Sequence, residues 1–156
     1  MENYLKNLYS RFENNEYESF NYSESDRGFH RKEISLSKFG KVDTYIFIRN
    51  FAEPIKFDEI KLYSTKVFEY AKKLRTGLPL GFGGSLVVYP LIIGNMKSEN
   101  DIRLFEKYVP KHWAAVEFPV IASLSLTTLH YYSGTPMWGA AYYKGLRNEV
   151  EELFHF

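Results

Sequence analysis

The chain contains no cysteine and no glutamine. Without cysteine there are no disulfides, no thiol nucleophile, no Cys-ligated zinc and no iron–sulfur cluster. Apolar runs fall well short of the roughly 18 residues that cross a bilayer, and Met1-Glu2-Asn3-Tyr4 lacks the basic-then-apolar order of a secretory signal. A cytoplasmic protein with no membrane partner is therefore expected. Charge of one sign is also missing: 20 Lys and Arg stand against 19 Asp and Glu, a formal net charge of +1. No global field draws the chain to nucleic acid. Scarce Cys and Gln beside plentiful Lys, Glu, Tyr and Ile is one part of a heat-adapted composition and points to a thermophilic source, with an AT-rich genome as the alternative origin of the same bias.

What is present suffices for a folded domain. The 156 residues are 45% hydrophobic and 25% charged, which is the length and composition of one globular unit with a buried core. Thirteen Tyr and thirteen Phe exceed what one small core is expected to absorb. The surplus is expected on the surface, where it would favour an interface and a homodimer.

Leu5, Leu8 and Phe12 recur at helical spacing and predict a short N-terminal helix. Residues 13–27, rich in Asn, Glu and Ser, have no period and read as a mobile loop. Residues 1–28 are thus set apart from a domain over 29–156. Ile34 to Leu36 and Val42 to Ile48 flank a turn at Phe39-Gly40-Lys41, a β-hairpin. Thr44, Ile46 and Ile48 share one face of its second strand and Tyr45 and Phe47 the other. Ile60, Tyr63, Val67, Ala71 and Leu74 form the stripe of a helix that ends before Gly77. Leu86 to Ile93 is a continuous apolar run, a strand covered on both faces, but Pro90 within it predicts an edge, a bulge or an end. Ser98 with Asp101 opens another helix. Ala114 to Leu124 and Thr128 to Tyr132 pair around Ser125-Leu126, with Ser123 opposite Thr128 and His130 opposite Ile121. Thr135-Pro136 starts a last helix running to about Leu153.

The expected fold is therefore α/β (α+β): one layered domain, a mixed sheet of about five strands, and the order α-β-β-α-β-α-β-β-α. The stretch after Val42 is similar in element order to thioredoxin-like domains, with Phe118-Pro119 where that family places a cis-proline. Thioredoxin chemistry is excluded because there is no Cys-x-x-Cys.

Complete catalytic motifs are absent. The glycine-rich stretch Gly77 to Ser85 leads into a strand and lacks the Gly-Lys-Ser/Thr end of a phosphate loop, so it reads as a turn. His30, His112, His130 and His155 do not stand at metal-binding helical spacing, and neither a metal nor a cofactor is expected. A restriction-type nuclease would need strand carboxylates followed by Glu-x-Lys. Glu33 and Asp43 lie on the first hairpin, but the Glu-x-Lys, Glu59-Ile60-Lys61, falls on a helix. No Gly-x-Ser-x-Gly elbow is present.

The densest group of unusual side chains is His112, Trp113, Glu117, His130, Tyr132, Trp138, Tyr142 and Arg147. Glu117 sits in an apolar strand, where an ionised carboxylate needs a partner, and His112 and Arg147 are the candidates. Core and rim packing is the plain reading of these aromatics; stacking of an aromatic ligand or a base is the sharper one.

Four stretches carry a family resemblance: Leu78-Pro79-Leu80-Gly81, Val87 to Gly94 with Tyr89-Pro90, Ala114 to Val120 with Glu117-Phe118-Pro119, and Thr135-Pro136-Met137-Trp138-Gly139. Together they are similar to a family of small uncharacterised prokaryotic proteins over about residues 57–147, a resemblance that implies no activity or ligand. The leading expectation is a non-enzymatic binding or interaction domain, with a second copy or an unidentified small molecule as its partner. The alternatives are a hydrolase or nuclease using Glu117, His112, His130 and Arg147, and single-stranded nucleic-acid binding through Tyr and Lys.

Overall fold

Alternation and helical stripes resolve into four helices around one sheet in the computed structural model, which describes residues 2–24, 26–35, 40–134 and 140–156. The order is α1 (Glu2–Asn14), β1 (Glu18–Asn21), β2 (Asp26–Ser35), β3 (Gly40–Asn50), α2 (Phe57–Leu74), β4 (Gly84–Ile93), α3 (Glu99–Phe105), β5 (Ala115–Glu117), β6 (Val120–Ser123), β7 (Thr128–Tyr131) and α4 (Ala140–Phe154). The sheet runs β1-β2-β3-β4-β6-β7, with β5 also on β4. Its outer pairs β1–β2, β2–β3 and β6–β7 are antiparallel, while β3, β4 and the β5–β6 line are parallel. That division follows from the connections: only a few residues separate the antiparallel strands, and the parallel ones are joined through α2 and α3.

Seven strands replace the expected five. The first addition lies in residues 13–27, where β1 pairs with β2 from Glu18↔His30 to Asn21↔Arg27. Its side chains are mostly exposed, so hydrophobic alternation shows only in Phe20 and Tyr22. Gly28 makes the pairing possible, because a Cβ there would stand 2.2 Å from the Phe20 ring that lies across it. The second addition comes from a break in the expected Ala114–Leu124 strand at Phe118-Pro119. No peptide bond among the described residues is cis, Phe118-Pro119 included.

That break also explains Pro90, which sits in mid-strand in β4 at the centre of the sheet. The Phe118 N–H donates to the Val88 carbonyl at 2.9 Å, and the Gly94 N–H donates to the Ala122 carbonyl at 3.2 Å. Even-numbered residues of β4 thus turn their main-chain groups toward β5 and β6. Val88 pairs with Glu117 and Leu91 with Val120, so Pro90 faces the interruption, where no ladder bond is called for. A central proline costs nothing there.

Two cores flank the sheet. One face packs Val42, Ile46, Tyr89 and Leu91 against Leu8 and Phe12 of α1 and Leu146, Val150 and Phe154 of α4. The other packs Tyr45, Phe47, Leu86 and Val88 against Ile60, Val67 and Phe68 of α2 and Phe105 of α3. Each fully buried Leu or Phe is worth about 1.5–3 kcal/mol, and α1 shares in this, since Leu8 and Phe12 are wholly buried. The predicted α2 stripe is buried except for Leu74, and Ser98 accepts from the Asp101 N–H as foreseen. None of the thirteen tyrosines is exposed, whereas Phe82, Trp113 and Phe156 stand in solvent, so the aromatic surface among the described residues is Phe and Trp, not Tyr. Across the first core Tyr89 reaches Glu149 of α4, whose other oxygen lies 3.4 Å from Arg31 of β2. The predicted helix start at Thr135-Pro136 lies outside the described residues, as does Trp138.

Candidate functional site

Period-two alternation in β5 sends Val116 to the α1/α4 core and Ala115 and Glu117 to the α2/α3 side. Glu117 is 1% exposed. Its Oε1 accepts the Ser64 hydroxyl of α2 at 2.5 Å, and its Oε2 lies 2.8 Å from His112 Nε2. A carboxylate accepts, so Nε2 is the donor in this contact. The His112 ring stacks on Phe68 at 3.9 Å, which fixes its plane. Of the two partners foreseen for Glu117, His112 fills the role.

The remainder of the expected cluster separates. Arg147 Nη1 donates to the Gly134 carbonyl at 2.9 Å, far from Glu117. His130 lies opposite Ile121, as read from the register, and its Nδ1 contacts Glu106 Oε1 at 3.0 Å. Tyr132 and Tyr142 pack on the α1/α4 core, Tyr132 against the Tyr143 ring at 5.6 Å. Burial pushes the Tyr142 hydroxyl up to about 12, so it is a neutral donor at physiological pH. Trp113 is turned outward, 80% exposed. The sheet stands between the Glu117–His112 pair and the Tyr132, Tyr142 and Arg147 group, so the described members of the set are divided between its two sides.

The chemistry available to the Ser64–Glu117–His112 set is narrow. In acyl transfer a serine gives its proton to the imidazole, whereas the wholly buried Ser64 gives its own to the carboxylate. What remains is an oriented imidazole with one free nitrogen. The nuclease geometry fails on a second count: Asp43 faces α2, where His30, Lys32 and Arg75 contact it at 3.1, 3.5 and 3.2 Å. Glu33, one place off its register partner, faces the other side and pairs with Arg31 at 3.0 Å. Those two carboxylates cannot share an ion, and among the described residues no group of three His, Asp or Glu is placed to hold a metal.

The cleft that sequence reasoning missed lies at the C-terminal ends of β3 and β4. It has a volume of about 560 Å³, with Ile48 and Ile93 as floor and Leu5 and Tyr9 of α1 as one wall. The β1–β2 turn supplies the opposite rim with Asn21, Glu24 and Arg27, and Asn50 closes the end. The Arg27 guanidinium lies 5.3 Å from the Tyr9 ring centroid. Among the described residues it contacts no carboxylate. Beneath the turn, Asp26 takes two hydrogen bonds from Arg49 at 2.7 and 2.6 Å, which holds the rim to β3. The alternation of Phe20 and Tyr22 about Asn21 was the one sequence signal for the strand that builds this rim.

Comparison with protein-family models, with curated proteins and with solved structures finds no match to this chain. Its function is therefore argued from its own geometry.

Proposed function

We propose that this domain is a binding module for a small organic anion, seated in the cleft between α1 and the β1–β2 turn. The observation that carries the reading is Arg27, a cation held over an aromatic ring at the mouth of an apolar-floored cleft. A volume of about 560 Å³ lies within the range of small-molecule sites, which pair apolar walls with a few placed polar groups. A flat carboxylate would lay its body on Ile48 and Ile93 and meet Arg27 in bidentate fashion, while Asn21 stands on the rim beside it. Self-association through surplus tyrosine has less support, since no tyrosine is exposed.

A thermal-shift screen of aryl carboxylates and phosphate monoesters tests the proposal. Stabilisation by a member of the panel, lost in Arg27→Ala with the melting point of the free chain unchanged, is the expected result. No shift across the panel, or a shift indifferent to Arg27, would overturn it.

A second reading, general-base catalysis by His112, is favoured by the 2.8 Å contact that orients its ring. Ester hydrolysis abolished in His112→Asn and retained in Arg27→Ala would move the assignment there.

A further inference from the structure

The opposite end of the parallel strands carries a different kind of surface. Three stretches of sequence are free of Asp and Glu, residues 34–42, 70–88 and 109–116, and their described residues meet there. The Lys41 N–H donates to the Gly83 carbonyl at 3.0 Å, and the Leu86 N–H donates to the Ala114 carbonyl at 3.4 Å, so the three stretches lie side by side where β3, β4 and β5 begin. They contribute Lys41, Lys73, Arg75 and Lys111, and Lys32 extends from the neighbouring strand. Asp43, just beyond the first stretch, is buried and already met by His30, Lys32 and Arg75. A net charge of +1 for the whole chain thus conceals a cationic end.

At the same end, large apolar side chains stand in solvent. Phe82 is 77% exposed, Trp113 80%, Leu78 46% and Ile34 77%. The turn presents them on purpose-built backbone. Gly81 and Gly83 both have positive φ, +80° and +83°, and flank Phe82, while a Cβ on Gly81 would stand 2.6 Å from Trp113 Nε1. Trp113 therefore rests against the backbone of the same turn that holds Phe82 out, and a Cβ on Gly83 would stand 3.3 Å from Leu78 Cδ1.

We infer that this end docks on an anionic lipid surface, with Phe82, Trp113 and Leu78 entering the headgroup region and the lysines meeting lipid phosphate. Trp and Phe beside aliphatic side chains, ringed by Lys and Arg, is the composition of interfacial anchors. Nucleic acid is the other polyanion, but Leu78 and Ile34 offer no flat face for a base, and Phe82 projects from the apex of a turn instead of lining a groove. The expectation of no membrane partner rested on net charge and on the lack of a spanning run. Among the described residues no helix is long and apolar enough to cross a membrane, and a peripheral contact needs none. This site shares no residue with the cleft at the other end, so either proposal can fail alone.

Co-sedimentation of the full chain with vesicles of phosphatidylcholine alone, and of phosphatidylcholine mixed with phosphatidylglycerol, tests the inference. Binding to the anionic vesicles is expected, falling about fivefold for each of Lys41→Ala and Lys111→Ala and lost in the double variant Phe82→Ser with Trp113→Ser. These positions are exposed, so a matching urea midpoint shows that the variants fold. Equal partition to both vesicle types, or binding undiminished in the double variant, would overturn the inference. So would failure to sediment together with binding to single-stranded oligothymidylate that the same double variant abolishes, which would assign the surface to nucleic acid.

Discussion

The hydroxyl of Tyr89 donates to Oε2 of Glu149 at 2.8 Å, joining the centre of β4 to the last helix. Tyr89 is fully buried, and Arg31 approaches the other carboxylate oxygen at 3.4 Å. Hydrogen bonds to charged acceptors are the stronger class. Tyr89→Phe keeps the packing and removes the donor, so a loss of about 2 kcal/mol is expected. Urea unfolding should show a lower midpoint with an unchanged slope; an unchanged midpoint would mean that water replaces the phenol.

Alkaline pH should unfold the domain through its tyrosines. Burial pushes Tyr4, whose hydroxyl donates to the Phe154 carbonyl, and Tyr142 up to about 12 from the ordinary 10.0. The unfolded chain releases these protons first, so between pH 10 and 12 it binds fewer protons than the folded chain and stability falls as pH rises. Below that window the contribution is complete. The slope is at most about 1.4 kcal/mol per pH unit for each such tyrosine. Urea midpoints measured across the window should decline, and Tyr142→Phe should flatten the decline.

Glu117 gives a prediction in two variants. His112→Ala leaves a buried carboxylate with the Ser64 hydroxyl alone, a loss of about 3–5 kcal/mol. Ser64→Ala removes one neutral donor and should cost about 1–3 kcal/mol. If unfolding in guanidinium ranks the two the other way, the histidine is not the principal partner of Glu117.

Arg49 couples the cleft rim to the sheet. Arg49→Leu strips Asp26 of two guanidinium hydrogen bonds and removes a cation 4.4 Å from the Tyr63 ring centroid. A loss of about 3–5 kcal/mol is expected, with faster amide exchange along β1 than along β4. Uniform acceleration over both strands would argue against a local role.

Features that repeat at short range were legible in the sequence. The α2 stripe, the Ser98 cap, the two faces of β3 and the register placing His130 opposite Ile121 all depend on residues close along the chain. The first edge strand was hard to read, because β1 is exposed apart from Phe20 and exists by virtue of its ladder to β2 and the space above Gly28. The described members of the candidate cluster are separated for a geometric reason. Residues near one another in sequence around a strand are dealt to opposite faces, so Glu117 went to α2 while Tyr132 and Tyr142 went to α4. The cleft escaped because its wall and rim come from α1 and from the turn after β1, two pieces whose meeting no local pattern encodes.

Pro90 opposite the Phe118-Pro119 interruption also acts as a key in a lock. Were β6 to slide along β4 by two residues, it would keep its inward and outward faces but set a ladder carbonyl against an imide nitrogen with no hydrogen to give. Alignments that alternation alone would tolerate are thereby penalised, and the newly made chain has one seating for its third parallel strand.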